Sequence, residues 1–302
     1  MAFLTASAVY GQIPAGYYDT ATSTGYALKT QLRKIINNVN DGLPNERIAE
    51  DQGYNALDLL YSFSDVDTYY ENDNTILDMY SEKPASADAY NYTYPNDQCG
   101  NYNSEGDCYN KEHVIPQSVF GQETPMRSDA HQVIPTDGRV NGFRSNYPFG
   151  VVGSLVSQSG ITNPTTNGSK LGNNLNSGYS GGYTGIVFEP IDEFKGDIAR
   201  IYFYFVTRYE TQVGSWGSYD MFDGGTTKVL ADPFLNILFT WHTNDPVSQK
   251  EIDRNNRIYA HQNNRNPFID NPGYVLDIWQ NTLSMPSLEA NIISIYPNPV
   301  SG

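Results

Sequence analysis

The 302-residue sequence predicts one domain of α+β class, with a few helices and several short strands around a shared core. Three observations carry that prediction. Apolar residues recur at helical spacing in separate stretches. Between them lie short apolar pairs, each closed by a proline, as short strands are. Hydrophobic residues make up 39% of the chain and charged residues 17%, with 26 glycines and 24 tyrosines, which excludes a disordered polyelectrolyte and describes a loop-rich globular protein.

Taken in order, residues 1–11 hold a short apolar run and then small residues ending at Gly11, the pattern of the end of a secretory leader, and are expected to be its remnant. The domain proper is expected over 12–285, and 286–302 as linker and tail. Leu28, Leu32, Ile35, Ile36 and Val39 predict an amphipathic helix over 24–40. Residues 56–61 form a second short apolar segment. Acidic loops rich in tyrosine and asparagine then run to Cys108. Val114-Ile115 and Val133-Ile134 predict short strands closed by Pro116 and Pro135. The Gly-, Ser-, Asn- and Thr-rich stretch 151–187 reads as loops around short strands. Residues 197–209 predict a buried helix, with Arg200 in a buried pair for which Glu189 is the suggested partner. A further helix is expected over 247–262. No stretch approaches the roughly 18 apolar residues of a membrane-spanning helix, so membrane insertion is not expected.

Cys99 and Cys108 are the only cysteines. In an exported chain they predict a short disulfide loop, with two free thiols as the alternative. The net charge of −16 and pI near 4.5 argue, taken globally, against a nucleic-acid partner. The distribution weakens that argument. Residues 41–99 hold 13 acids and two bases, whereas 108–147 hold four of each and 250–266 carry a net +2.

Of four histidines, His113 and His131 lie in the neutral middle, each near a carboxylate and ahead of a proline-closed strand. Glu112 and His113 are adjacent on a strand and therefore point to opposite faces, so both can serve one site only if the strand ends or twists there. After the second strand, Thr136 or Asp137 can cap a helix bearing Arg139, Asn141 and Arg144. Strand, loop, strand and helix, with a histidine first and an asparagine on the helix, is the outline of a ββα-metal (His-Me finger) nuclease site.

The run from Tyr109 to Gln117, Ser128-Asp129-Ala130-His131, Pro135 to Asn141 and Arg144-Ser145-Asn146 closely resembles the endonuclease I family of secreted or periplasmic bacterial nucleases. The resemblance continues in Phe188-Glu189-Pro190, Gly196 to Arg200, Arg208-Tyr209, Trp241-His242, Asp245-Pro246-Val247, Glu251, Arg254-Asn255, Ile258 and Gln262 to Asp270. It covers most of residues 55–272 in family order. It implies His113 as general base, and Glu112 and Asn141 as ligands of one divalent ion, usually Mg²⁺, with Mn²⁺ or Ca²⁺ as alternatives. It implies cleavage of DNA, and in much of the family RNA, without sequence preference, leaving 5′-phosphate and 3′-hydroxyl ends. An arginine for the phosphate is also implied; Arg127 and Arg144 are its two candidates, and an internal salt bridge is the other role open to each. Residues 295–302 resemble the opening of a type IX secretion sorting tail, which implies that machinery as a partner and a secreted or surface-attached protein. A monomer is expected.

The remaining residues are read more modestly. Asp129 and His131 are expected to fix the second strand by hydrogen bonds. Arg254, Arg257 and Arg265 lie in the one basic stretch and could line a nucleic-acid groove or form ion pairs. Asp65, Asp67, Glu71, Asp73 and Asp78 form a solvated acidic face or a Ca²⁺ site, although the EF-hand spacing is missing. Two rival functions stay open: a secreted module that binds nucleic acid or glycan without cutting, and a phosphodiesterase acting on small substrates.

Overall fold

Leu28, Leu32, Ile35 and Ile36 turn one face of helix α1 (Gly25–Ile36) into the core of the computed structural model, which describes residues 12–283. The leader-like segment 1–11 and the tail 286–302 lie outside the described residues. Helix α1 stops short of the predicted 40, and Val39 is exposed. The Asn37 side chain accepts the Val39 amide at 2.8 Å and donates to Asp41, a local turn that competes with continued helix. Helix α2 (Ala56–Ser64) carries the second apolar segment. From 65 to 108 the chain is irregular and is held largely by carboxylates that accept backbone amides, as Asp67 and Asp78 do.

Strand β1 (Tyr109–His113) pairs antiparallel with β2 (Val133–Asp137), setting Glu112 opposite Ile134 and His113 opposite Val133. The predicted strand at Val114-Ile115 is therefore displaced toward the N-terminus. The ladder ends at His113 because Gln132 takes over: its carbonyl accepts the Val114 amide and its side chain the Ile115 amide. Helix α3 (Gly138–Arg144) follows directly, and Asp137 is its cap, accepting the Val140 amide at 2.8 Å.

Strands β3 (Val152–Leu155), β4 (Lys170–Asn174) and β5 (Ile186–Glu189) make a small antiparallel sheet within the Gly-rich stretch. Helix α4 (Lys195–Arg208) is the central post, buried at every residue from Gly196 onward, with α1 and α5 (Asp232–Asn244) packed on it. Helix α6 (Gln249–Gln262) opens with a Ser248–Glu251 capping box and packs on α2. Short helices α7 (Pro267–Asp270) and α8 (Gly273–Trp279) close the described chain. Arg200 is buried and paired as expected, but with Glu251 in a bidentate contact at 2.5 and 2.8 Å. Glu189 instead meets Lys195 and Lys170. A second, smaller apolar cluster of Leu57, Leu60, Tyr61, Ile76, Tyr109, Val133 and Ile258 backs the β1–β2 hairpin. The hairpin is thus braced from behind and its far side is left to the cleft described next. No helix among the described residues is long and apolar enough to cross a membrane.

Candidate active site

The end of β1 and the first turns of α3 meet at a cleft of about 600 Å³, lined by Glu112, His113, Asn141 and Arg144 together with Tyr54, Lys111, Gln117 and Asn146. Glu112 and His113 share it because β1 stops at His113 and the chain bends away, which meets the condition their adjacency imposes. Each is fixed from a different side.

His113 is 5% exposed, and its ring lies parallel to that of Tyr54, centroids 5.8 Å apart. Its Nε2 is 3.0 Å from the Arg127 carbonyl oxygen. A carbonyl only accepts, so Nε2 carries the hydrogen and Nδ1 keeps a lone pair. Burial lowers the imidazole pKa to about 4; the Arg127 carbonyl opposes the fall, and the cations of Arg127, Arg144 and Lys111 add to it. His113 is therefore a neutral base at pH 7 with its accepting nitrogen defined.

Glu112 is buried, and its Oε1 receives the Tyr80 hydroxyl at 2.9 Å and Arg144 Nη1 at 3.1 Å. Burial pushes its carboxyl up to about 7, against the pull of Arg144 and the hydrogen bonds of Tyr80 and the His113 amide. Asn141 donates through Nδ2 to Asn110 Oδ1 at 2.7 Å and to the Lys111 carbonyl at 3.3 Å. Its amide oxygen is left as a spare acceptor. A carboxylate and an amide oxygen at one cleft form an all-oxygen donor set that suits a hard divalent ion, with water completing its shell. The donor set fits a metal of the Mg²⁺ kind.

The two arginines divide. Arg144 is fully buried and binds Glu112, the His113 carbonyl at 3.0 Å and the Val114 carbonyl at 2.7 Å. Arg127 is half-buried, with its guanidinium 4.6 Å above the Tyr54 ring and its Nε without a hydrogen-bond partner. Lys111 reaches the other part of that rim, 4.3 Å from the same ring and paired with Asp58.

Three basic residues expected at a groove lie elsewhere. Arg254 is taken up by Asp65 at 2.7 Å and by the Ala130 and Val133 carbonyls, and Arg265 by Asp270 at 2.6 Å. Arg257 lies beside Tyr69 and Asp253 in a separate depression. The first two thus take the ion-pair role left open for them, and none of the three lines the cleft. Asp129 is buried among Arg208, Tyr204, Tyr209 and Gln262, and His131 Nε2 meets the Asn264 carbonyl at 3.2 Å. A disulfide joins Cys99 to Cys108, and Cys99 lines the cleft. Sequence reasoning missed Tyr54, Tyr80, Asn110 and Lys111. Asn110 and Lys111 sat inside the motif and were findable; the two tyrosines had no local signal among 24.

A family model described as Endonuclease I matches residues 24–273. An extracellular ribonuclease of Bacillus amyloliquefaciens is 31% identical over 269 residues, which is 87% of this chain and 77% of that protein. An Endonuclease-1 of Buchnera aphidicola is 23% identical, covering 52% of this chain and 58% of its own. A periplasmic deoxyribonuclease of Aeromonas hydrophila is 25% identical, covering 53% and 62%.

Proposed function

The chain belongs to the endonuclease I family, and from that premise we propose that it is a secreted, Mg²⁺-dependent endonuclease without sequence preference. It cuts DNA and RNA to leave 5′-phosphate and 3′-hydroxyl ends. The observation that carries the proposal is the convergence of Glu112, His113 and Asn141 on one cleft, with His113 neutral and its Nδ1 able to accept. Relatives named as a ribonuclease and as a deoxyribonuclease support both substrates.

In this reading His113 Nδ1 takes the proton of the attacking water, and the Arg127 carbonyl holds the ring in the required tautomer. The phosphates of a bound strand oppose the three cations that help depress the imidazole. Glu112 and Asn141 would hold the divalent ion, which when bound would supply charge neutralisation to the phosphate and the leaving oxygen. Arg144 favours the ionised form of Glu112 and aims it, and Arg127 is the guanidinium that meets the phosphate.

Incubation of plasmid DNA and of RNA with the protein and Mg²⁺ at pH 6 to 9, with and without EDTA, tests the proposal. Fragments bearing 5′-phosphates that vanish with EDTA are expected for both substrates. Absence of metal-dependent cleavage throughout that range would overturn it.

A further inference from the structure

The acidic loops contain a feature that the nuclease chemistry does not use. Asp67, Glu71 and Glu82 each place a carboxylate oxygen within 4.8 Å of those of the other two. Glu82 is fully buried, yet neither of its oxygens has a hydrogen-bond partner. Glu71 Oε2 is likewise buried and unpartnered. An isolated carboxylate withdrawn from water is costly unless a proton or a cation compensates it. Here the neighbours worsen the cost: burial first, and then repulsion from Asp88, Glu71, Asp67 and Asp78, push the Glu82 carboxyl up to about 9.

We propose that Asp67, Glu71 and Glu82 bind a calcium ion distinct from the metal of the Glu112–His113–Asn141 cleft. The donors are all carboxylate oxygens, the ligands of a hard cation. Oxygens about 2.4 Å from one Ca²⁺ lie within about 4.8 Å of one another, a condition that these three meet. The ligands sit on irregular loops, which suits the loose geometry of Ca²⁺ better than the strict octahedron of Mg²⁺. Asp67 is already set in place, its carboxylate accepting the amides of Tyr69, Tyr70, Glu71 and Asn72 at 3.0 to 3.2 Å.

The ion would join two loops that support the cleft. Glu82 follows a turn in which Asp78 accepts the Asp137 amide at 2.6 Å and Tyr80 donates to Glu112. Calcium at Glu82 thereby anchors the segment that holds the cap of α3 and one metal ligand of the active site.

Titration of the chelator-treated full chain with Ca²⁺, by calorimetry and by thermal unfolding, tests this. The Asn141→Ala variant, which lacks the cleft ligand, is expected to bind one Ca²⁺ and to gain about 5–10 °C in Tm at saturating Ca²⁺. Adding Glu82→Gln to it should abolish both the binding and the shift. Metal-free Glu82→Gln should be at least as stable as the metal-free parent, since it replaces a carboxyl that lies buried among Asp67, Glu71, Asp78 and Asp88 without a hydrogen-bond partner. Glu71→Gln, at a half-buried position, provides the second reading, with Ca²⁺ affinity at least tenfold weaker. Unchanged Ca²⁺ stoichiometry and thermal shift in both glutamine variants, or no Ca²⁺ binding by Asn141→Ala, would overturn the proposal.

Discussion

Glu112 and His113 are neighbours with opposed environments. His113 is held neutral by burial and surrounding cations, while Glu112 is pushed up to about 7 by burial and restrained by Arg144 and Tyr80. This separation makes the carboxylate, not the imidazole, the group that titrates near neutrality in the metal-free protein. Ligation requires Glu112 ionised, so below pH 7 the metal must displace a proton. The Mg²⁺ concentration for half-maximal cleavage should rise about tenfold per pH unit below about 7, and level off above it. Cleavage rates over a Mg²⁺ series at pH 5.5, 6.5, 7.5 and 8.5 check this; a requirement that stays constant from 5.5 to 7.5 contradicts the assigned state of Glu112. The meeting of Glu112, His113 and Asn141 at one cleft was legible in the sequence because they fall within one compact, ordered motif. The role of Arg144 was only half legible. Its place on α3 follows from the i+3 spacing to Asn141, but its bond to Glu112 spans two elements and leaves no periodic trace.

Helix α3 has seven residues and would not persist alone. Its position comes from Asp137 at the cap, from Arg144 at its end and from Tyr102 across its outer face. A Cβ at Gly138 would lie 2.6 Å from Tyr102 Cδ1, and one at Gly142 would collide with the Tyr102 hydroxyl, so both must be glycine for Tyr102 to pack there. Tyr102 belongs to the loop closed by Cys99 and Cys108. Replacing both cysteines by alanine should cost about 3 kcal/mol on loop entropy and loosen Asn141, lowering cleavage as well. Urea unfolding and a Mg²⁺ titration of that variant measure the two effects; unchanged stability and unchanged Mg²⁺ requirement would remove the loop from this role. The order strand, strand, helix was readable, but the prolines misplaced the strands, since β1 ends before Val114 and β2 runs through Pro135; of the two cap candidates, Asp137 is the cap. Helix α5 was not: Phe234, Leu235, Ile237, Leu238, Phe239 and Trp241 surround it with apolar groups, which blurs the stripe that periodicity detects. Pro233 at its first turn was the signal available. Strands β3 to β5 were legible only as unplaced short strands among loops, and the glycines and asparagines of β3 and β4 carry weak strand preference.

The molecule reconciles a charge of −16 with a polyanionic substrate by separating the two. The acids concentrate in the loops before β1, where Asp67, Glu71 and Glu82 converge away from the cleft. The cleft itself is lined by Lys111 and Arg144, paired with Asp58 and Glu112, with Arg127 close enough to act on His113, and a divalent ion would add two positive charges that the sequence count omits. The sequence had shown where charge lies along the chain, but not that Arg254 and Arg265 would be neutralised by Asp65 and Asp270, contacts set by the tertiary fold. The cleft at the end of β1 is proposed to cut phosphodiesters with His113 as its base. The most direct measurement compares His113→Ala with the parent protein for plasmid cleavage and for DNA binding in the same buffer. The expected result is a loss of turnover of about 10³-fold, within the range of general-base removal, with DNA affinity kept within about twofold. Cleavage within about threefold of the parent, or binding lost in proportion to turnover, would contradict it.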